Sequence, residues 1–396
     1  MSKVQTAPRR TPRFSMADFS RKRLLGGMSP ARFLNEYWQK KPLLVRQALP
    51  GFGTWLNREG LSALACHPDA ESRIVESRRQ QWRLRHGPFT SDALARLPSR
   101  NWSLLVSGVN HFLPEADALL AAFDFVPRAR LDDLMVSFAP DGGGVGPHFD
   151  SYDVFLIQGL GRRRWEISEQ TDLALVEGAP LRILKNFTPT ESWELEPGDM
   201  LYLPPKYAHN GIALGDCMTW SVGFRAPMGN ELFSQFLTYL EERHWDTDGE
   251  SARYADLEIT PPRHPGELPA QLICWTEHML SATRWQTDTV ADFLGRYLSE
   301  PKPHVIIEPP TRPLSIARFC ERAGQRGLRL DPRSQLLFHG TTFFLNGDAL
   351  TTTPAIARLL RTLADSRQLR ADQLAKIDIS VFYAWYREGM IRFNTQ

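Results

Sequence analysis

Leu134-Met135-Val136-Ser137-Phe138-Ala139-Pro140-Asp141-Gly142-Gly143-Gly144, followed by Val154-Phe155-Leu156-Ile157-Gln158-Gly159-Leu160-Gly161, decides the class of the fold. Each apolar run is too short for a helix and is cut by glycine or proline. Arg163 to Ile167, Leu181 to Leu184, Trp193 to Leu195, Met200 to Leu203 and Cys217 to Phe224 continue the series. Many short strands with Gly/Pro turns predict a sandwich or barrel between Ala129 and Ala226. No long helix separates them, which argues against a doubly wound sheet.

Outward from this region the period changes. Toward the N-terminus, Ser29-Pro30-Ala31-Arg32 opens a helix, with serine at the cap and proline in the first turn. Leu61 to Ala65 and Ser91 to Leu97 read as further short helices. Toward the C-terminus, Glu231 to Leu240, Leu268 to Leu280 and Val290 to Leu298 carry helical spacing. Ile259 to Pro265 reads as a loop, and the proline-rich Pro301 to Pro313 as a linker. Beyond it a helix (Ser315 to Ala323), an Asn346-Gly347 hairpin and helices at Pro354 to Leu363 and Gln368 to Ile377 predict a winged-helix module. The presumed recognition helix around Arg358, Arg361 and Arg367 is only modestly basic, so direct nucleic-acid binding is not expected. The expected boundaries are a basic extension 1–28, a catalytic region 29–227, a helical region 228–305 and a winged-helix-like region 306–396.

The chain has 396 residues, 42% hydrophobic and 23% charged, with a formal charge of +2. Its four cysteines are scattered with no CxxC pair, which suits a reducing compartment better than a disulfide scaffold. No apolar run approaches the roughly 20 residues of a membrane span. The first 24 residues carry seven basic residues and one acid but no signal-peptide core, and cytoplasmic residence is the expectation.

Gly146-Pro147-His148-Phe149-Asp150 is the strongest chemical signal. In extended chain, residues i and i+2 share a face, so a His-x-Asp aims an imidazole and a carboxylate at one point. His209 follows Pro204-Pro205-Lys206-Tyr207-Ala208, just beyond another strand. Two histidines and a carboxylate on one face of an octahedral metal leave three positions open, the arrangement of non-heme iron(II) oxygenases. By spacing alone His148 can equally be a turn residue that Asp150 caps. Within Arg162-Arg163-Arg164-Trp165, alternation turns Arg163 away from its two neighbours. An arginine turned into a barrel needs a buried anion, and a dicarboxylate offers one; an internal acid would serve as well.

Four further stretches carry a resemblance: Leu131-Asp132-Asp133-Leu134-Met135, Tyr152 to Gly159, Glu196-Pro197-Gly198-Asp199 and Ser221 to Pro227. Together with the His-x-Asp turn and Gly161 to Trp165, they resemble the bacterial ribosomal oxygenases. These are JmjC-type enzymes that hydroxylate an arginine of large-subunit ribosomal protein number sixteen. The resemblance implies a mixed α+β fold: a double-stranded β-helix (jelly-roll, JmjC/cupin-like) core, a helical dimerisation region and a C-terminal winged helix. It implies iron(II) on His148, Asp150 and His209, with 2-oxoglutarate and dioxygen as cosubstrates and Arg163 on the far carboxylate. It also implies a ribosomal protein substrate, a homodimer, and a substrate pocket of Asp133, Met135, Tyr152 and Ser221. Asp133 is the first choice for gripping an arginine guest, since a guanidinium wants a planar acceptor. Histidine hydroxylation of another ribosomal protein and a non-catalytic metal-binding or winged-helix interaction protein are the competing readings.

Overall fold

The computed structural model describes residues 21–52, 55–78, 81–244, 253–255, 260–261, 263–282, 284–374 and 379–394. Residues 1–20 of the expected basic extension lie outside them. The chain packs as two units: the described residues through Ala226 with Pro301–Ser334 and those from Asp365, and Pro227–Glu300 with Gln335–Ala364.

The first unit opens with helices α1 (Arg21–Leu24) and α2 (Pro30–Glu36). Ser29 caps α2 by accepting the Arg32 N–H, and Pro30 occupies the first turn, as its sequence predicts. Then come β1 (Leu43–Val45), α3 (Arg58–Ala65), β2 (Ser72–Arg78), β3 (Gln81–His86), α4 (Ser91–Ala95), β4 (Trp102–Val106), α5 (Pro114–Ala121) and β5 (Leu131–Ala139). β6 (Val154–Ser168), β7 (Glu191–Leu195), β8 (Met200–Leu203) and β9 (Ala208–Phe224) complete a nine-stranded sheet.

Its hydrogen-bonded order is β1-β8-β6-β9-β5-β4-β2-β3, with β7 paired to β6. Among the described residues the path has two free ends, β1 and β3, so the expected closed jelly-roll or barrel does not form. The Gly159-Leu160-Gly161 signal explains much of the difference. It reads as a turn between two strands, but β6 runs through it as one 15-residue strand with register shifts between Gln158 and Arg162 against β9. Gly161 adopts φ +58°, and a Cβ there would lie 2.0 Å from the Asp216 carbonyl oxygen, so the glycine permits a bulge that bends the strand without ending it. Leu181 to Leu184, read as a strand, makes only a single bridge between Leu175 and Leu184.

Alternation gives the sheet two unlike faces. Leu104, Val106, Leu134, Val136, Phe138, Phe155, Ile157, Met200, Tyr202, Met218, Trp220 and Val222 enter one apolar core with the N-terminal helices. Phe33 of α2 is fully buried there, its ring 5.7 Å from Phe155 and 5.1 Å from Tyr202. Burying each such side chain contributes about 1.5–3 kcal/mol, so this layer anchors the sheet from behind. The residues between them, among them Ser103, Met135, Ser137, Leu156, Thr219 and Ser221, face a cavity on the other side. This unit also holds α9 (Ile316–Arg326) and α11 (Ser380–Arg387), where Phe319 meets Tyr386 at 5.1 Å. A small sheet accompanies them, β14-β10-β15, from β10 (Leu328–Leu330), β14 (Gln368–Leu369) and β15 (Ile391–Phe393). Gln368, expected to start a helix to Ile377, is therefore in a strand, and 375–378 lie outside the described residues.

The second unit contains α6 (Gly229–His244), α7 (Ala270–Ala282), α8 (Thr287–Ser299) and α10 (Pro354–Ser366), with β11 (Leu336–His339), β12 (Thr342–Leu345) and β13 (Asp348–Thr351). Phe236, Leu240 and Phe293 form a buried cluster in it, and Phe343, Phe344, Leu360 and Leu363 are buried as well. The predicted hairpin is present between β12 and β13, with Asn346 and Gly347 both at positive φ as the tight turn requires.

Candidate active site

His148 and His209 are joined through their backbones before any side chain is considered. The His148 N–H donates to the His209 carbonyl at 2.9 Å, and the His209 N–H donates back at 2.8 Å. Lys206, at positive φ in the turn before β9, donates its N–H to the Asp150 carbonyl at 2.7 Å. The two halves of the His-x-Asp…His pattern, 59 residues apart by residue number, are thus stitched together by the main chain. Gly146 at φ +82° lets the chain enter: a Cβ there would lie 2.6 Å from the Trp82 ring.

The donor atoms of His148, Asp150 and His209 fall within 4.8 Å of one another, and His209 Nε2 is 3.7 Å from Asp150 Oδ2. His148 Nδ1 lies 2.9 Å from the Gly146 carbonyl and His209 Nδ1 2.9 Å from the Tyr207 carbonyl. A carbonyl only accepts, so each Nδ1 carries the proton and each Nε2 keeps a lone pair for a metal. Burial, then the neighbouring His148, pushes the His209 imidazole down to about 4, which keeps it in the neutral, ligating form. These three residues form a two-histidine, one-carboxylate facial set of the kind that holds iron(II) in oxygenases.

The set stands in a cavity of about 550 Å³ on the polar face of the sheet. Arg163, Asp133, Met135, Tyr152 and Ser221 line the same cavity, so all eight residues singled out from the sequence are brought together. Arg163 is 5% exposed; its Nε donates to Cys217 Sγ at 3.4 Å, and its Nη2 has no hydrogen-bond partner among the described residues. Trp165 Nε1 and Ser103 Oγ line the cavity and are likewise buried without a partner. Buried polar groups are almost always bonded. Three unsatisfied ones, one of them a guanidinium, fit a site that takes an anionic guest such as the far carboxylate of a dicarboxylate.

At the outer end, Asp133 Oδ2 accepts the Gly108 N–H at 2.9 Å. Burial, then the charge of Asp132, pushes its carboxyl above the ordinary range, against the pull of Lys302 and that N–H. Burial and Asp150 push the Tyr152 phenol upward, so it stays a protonated donor. Arg73 Nη2 lies 3.6 Å from Met135 Sδ.

Several lining residues escape the sequence reading. Trp165 is two residues from Arg163, so strict alternation already puts it on the same face. Glu71, Arg73 and Lys302 carried no local signal; Lys302 sits in the proline-rich stretch read as a linker.

Two family models match the chain, a JmjC domain over residues 118–232 and a ROXA-like winged helix over 282–391. Ribosomal protein uL16 3-hydroxylase of Escherichia coli (strain K12) is 35% identical over 372 residues, 90% of this chain and 97% of that protein. An X-ray structure of E. coli ycfD is similar with a TM-score of 0.80 and 34% identity, covering 93% of this chain and 98% of that one. YcfD, a ribosomal oxygenase from Escherichia coli, solved in complex with cobalt and 2-oxoglutarate, gives 0.76 and 32%, covering 93% and 99%. With a facial triad in place and near-complete overlap with such relatives, the chain belongs to the JmjC-type bacterial ribosomal oxygenase family.

Proposed function

We propose that this chain is an iron(II)- and 2-oxoglutarate-dependent hydroxylase of an arginine side chain in a large-subunit ribosomal protein. The carrying observation is the polarity of one cavity: facial ligands in the middle, an unpartnered buried guanidinium nitrogen on its inner wall, and a carboxylate at its outer end. His148, Asp150 and His209 would hold the metal and leave adjacent positions open to the cosubstrate. Arg163 would take the far carboxylate of 2-oxoglutarate through its free Nη2, with Trp165 and Ser103 as further donors. When bound, iron and 2-oxoglutarate would let dioxygen act as the oxidant, one of its atoms going to the succinate left by decarboxylation and the other into an unactivated C–H bond.

The protein's own task is to bind, orient and keep water out. Asp133 offers a guanidinium its planar, two-pronged acceptor. Met135 and Tyr152 wall the apolar stem, and Ser221, 6% exposed, closes the wall beside them. The relative named above acts on ribosomal protein uL16, and an arginine guest suits a mouth lined by carboxylates. A carboxylate at the grip favours arginine over the neutral imidazole that a histidine hydroxylase would receive.

The reading includes a homodimer, supported by the exposed apolar side chains of Phe233, Leu237, Leu268, Ile273 and Leu280 in the second unit. A monomer in sedimentation at micromolar concentration would contradict it. A formal charge of +2 gives no footprint for nucleic acid. Among the described residues no helix is long and apolar enough to cross a membrane. A ribosomal protein as substrate supports a reaction in the cytoplasm.

The test uses anaerobically prepared protein loaded with iron(II), given 2-oxoglutarate, air and a ribosomal protein. Succinate that appears only with that protein, matched by a gain of one oxygen on an arginine, is the expected result. Absence of both sinks the reading.

A further inference from the structure

Three carboxylates, Glu71, Asp132 and Asp133, line the outer end of the cavity. Alternation along β5 allows only one of the last two to face it. A bulge admits both: Leu131 pairs with Phe224 and Leu134 with Val222, so two residues of β5 stand opposite the single Gly223 of β9. An open cluster of three acids would draw in any cation, an ammonium as readily as a guanidinium.

One short turn covers two of the three. Lys302 Nζ lies 3.0 Å from Asp132 Oδ1, and His304 Nε2 lies 3.8 Å from Glu71 Oε2, an ion pair when the imidazole is protonated. Arg225 Nε adds a second contact to Asp132, at 3.3 Å. The turn is closed by the Val305 N–H on the Lys302 carbonyl at 2.8 Å, with Pro303 at its second position, where the ring pre-sets the backbone. Burial acts to strip Lys302 of its proton, but Asp133 and Asp132 outweigh it and hold the ammonium on. Among the described residues Asp133 has no ion-pair partner within 4.0 Å, and it accepts a hydrogen bond from the Gly108 N–H.

We propose that the Lys302-Pro303-His304 turn sets guest specificity by covering Asp132 and Glu71, leaving Asp133 as the single carboxylate open to the incoming side chain. A planar guanidinium satisfies one carboxylate with two parallel hydrogen bonds. A compact ammonium has three diverging donors and gains from several acids at once, which the turn withholds. Lys302 is a positioning residue in this scheme: it pairs directly with Asp132, its charge also favours the ionised form of Asp133, and it touches no reacting atom. The inference rests on Asp133 as the grip for the guest.

The test uses the full-length, iron-loaded protein and two matched peptides, one with arginine at the target position and one with lysine. The quantity read is the inhibition constant of the lysine peptide divided by the KM of the arginine peptide. Lys302→Met is expected to lower this ratio at least tenfold, through binding and with kcat little changed. Lys302→Arg keeps the charge and should keep the ratio. Asp132→Asn added to Lys302→Met removes the uncovered acid and should restore it. An unchanged ratio in Lys302→Met, an equal fall in Lys302→Arg, or no recovery in the double variant each overturns the proposal. Should Lys302→Met fail to fold, Asp132→Asn alone decides: it deletes the hidden acid, so a ratio away from wild type overturns the idea and an unchanged one supports it. If Asp133→Ala keeps full arginine turnover, the grip itself is wrong. If Asp133→Ala loses turnover while Lys302→Met leaves the ratio untouched, only the covering turn is wrong.

Discussion

The middle and the outer end of the cavity are built from different materials. At the metal-binding set, backbone hydrogen bonds hold His148 against His209 and Lys206 against Asp150, and the side chains inherit their aim from the main chain. At the outer end, Asp132, Asp133, Glu71, Lys302 and His304 are arranged by charge on a bulge and a turn. The first arrangement tolerates almost no change of position, whereas the second can be re-drawn one side chain at a time. If the outer end grips the guest as proposed, reaction chemistry and guest choice are mechanically separate, and substitutions at the two ends should have separable effects.

The largest effect belongs to the metal set. His209→Ala removes a ligand and is expected to lower succinate formation by at least about 10³-fold, or roughly 4 kcal/mol of barrier. Metal analysis of the purified variant should show the loss. Retained metal with retained turnover would erase the distinction between the ends. Next comes Arg163→Met. Losing one partner of a buried, hydrogen-bonded charge pair costs about 2–5 kcal/mol, so the KM for 2-oxoglutarate should rise by about 10²-fold. The same variant should melt higher than the parent when both lack cosubstrate, because it deletes a buried cation with an unpartnered nitrogen. A scan with and without 2-oxoglutarate checks both signs.

Outer-end changes should spare metal binding. Asp133→Ala is expected to lower arginine turnover by about 30-fold or more, as for a charged hydrogen-bond partner worth about 2 kcal/mol, while the iron content stays at the parent level. Asp133→Asn gives the smallest and most diagnostic shift. Burial and Asp132 raise the carboxyl above its unfolded value, so ionising it in the folded protein opposes folding. That penalty is absent below the unfolded value and grows as pH rises through the elevated one. The Tm advantage of Asp133→Asn over the parent should therefore be larger at neutral pH than near the unfolded value of the carboxyl, about pH 4. An advantage that shrinks as pH rises would show that Asp133 is stabilised by its surroundings and is no open grip.

Features that depend on local spacing were legible in the sequence. The His-x-Asp pair, the strand before His209, the inward turn of Arg163 and the Asn346-Gly347 hairpin each follow from a period or a turn preference over a few residues. Features that depend on one strand meeting another were not. Gly159 and Gly161 look the same in sequence whether they end a strand or bulge it, and here they bulge it, which is part of why the expected closed barrel is an open-edged sheet. Alternation likewise placed Asp133 and Met135 together but could not show that a bulge adds Asp132. Lys302 reaches Asp132 across 170 positions of chain, and nothing in a proline-rich stretch announces such a contact.

The mutual hydrogen bonds of His148 and His209 also bear on how the protein lives with a scarce ion. In small metal-folded domains, binding free energy and folding free energy are one quantity, and the empty chain is unfolded. Here the ligand strands are already paired by their own peptide groups, so filling the site asks for side-chain adjustment alone. A chelator should strip the ion and leave a folded, refillable protein. Under metal starvation such a protein persists as an idle reserve, and modification of its target would track the supply of the ion at the pace of ligand exchange, without new protein synthesis.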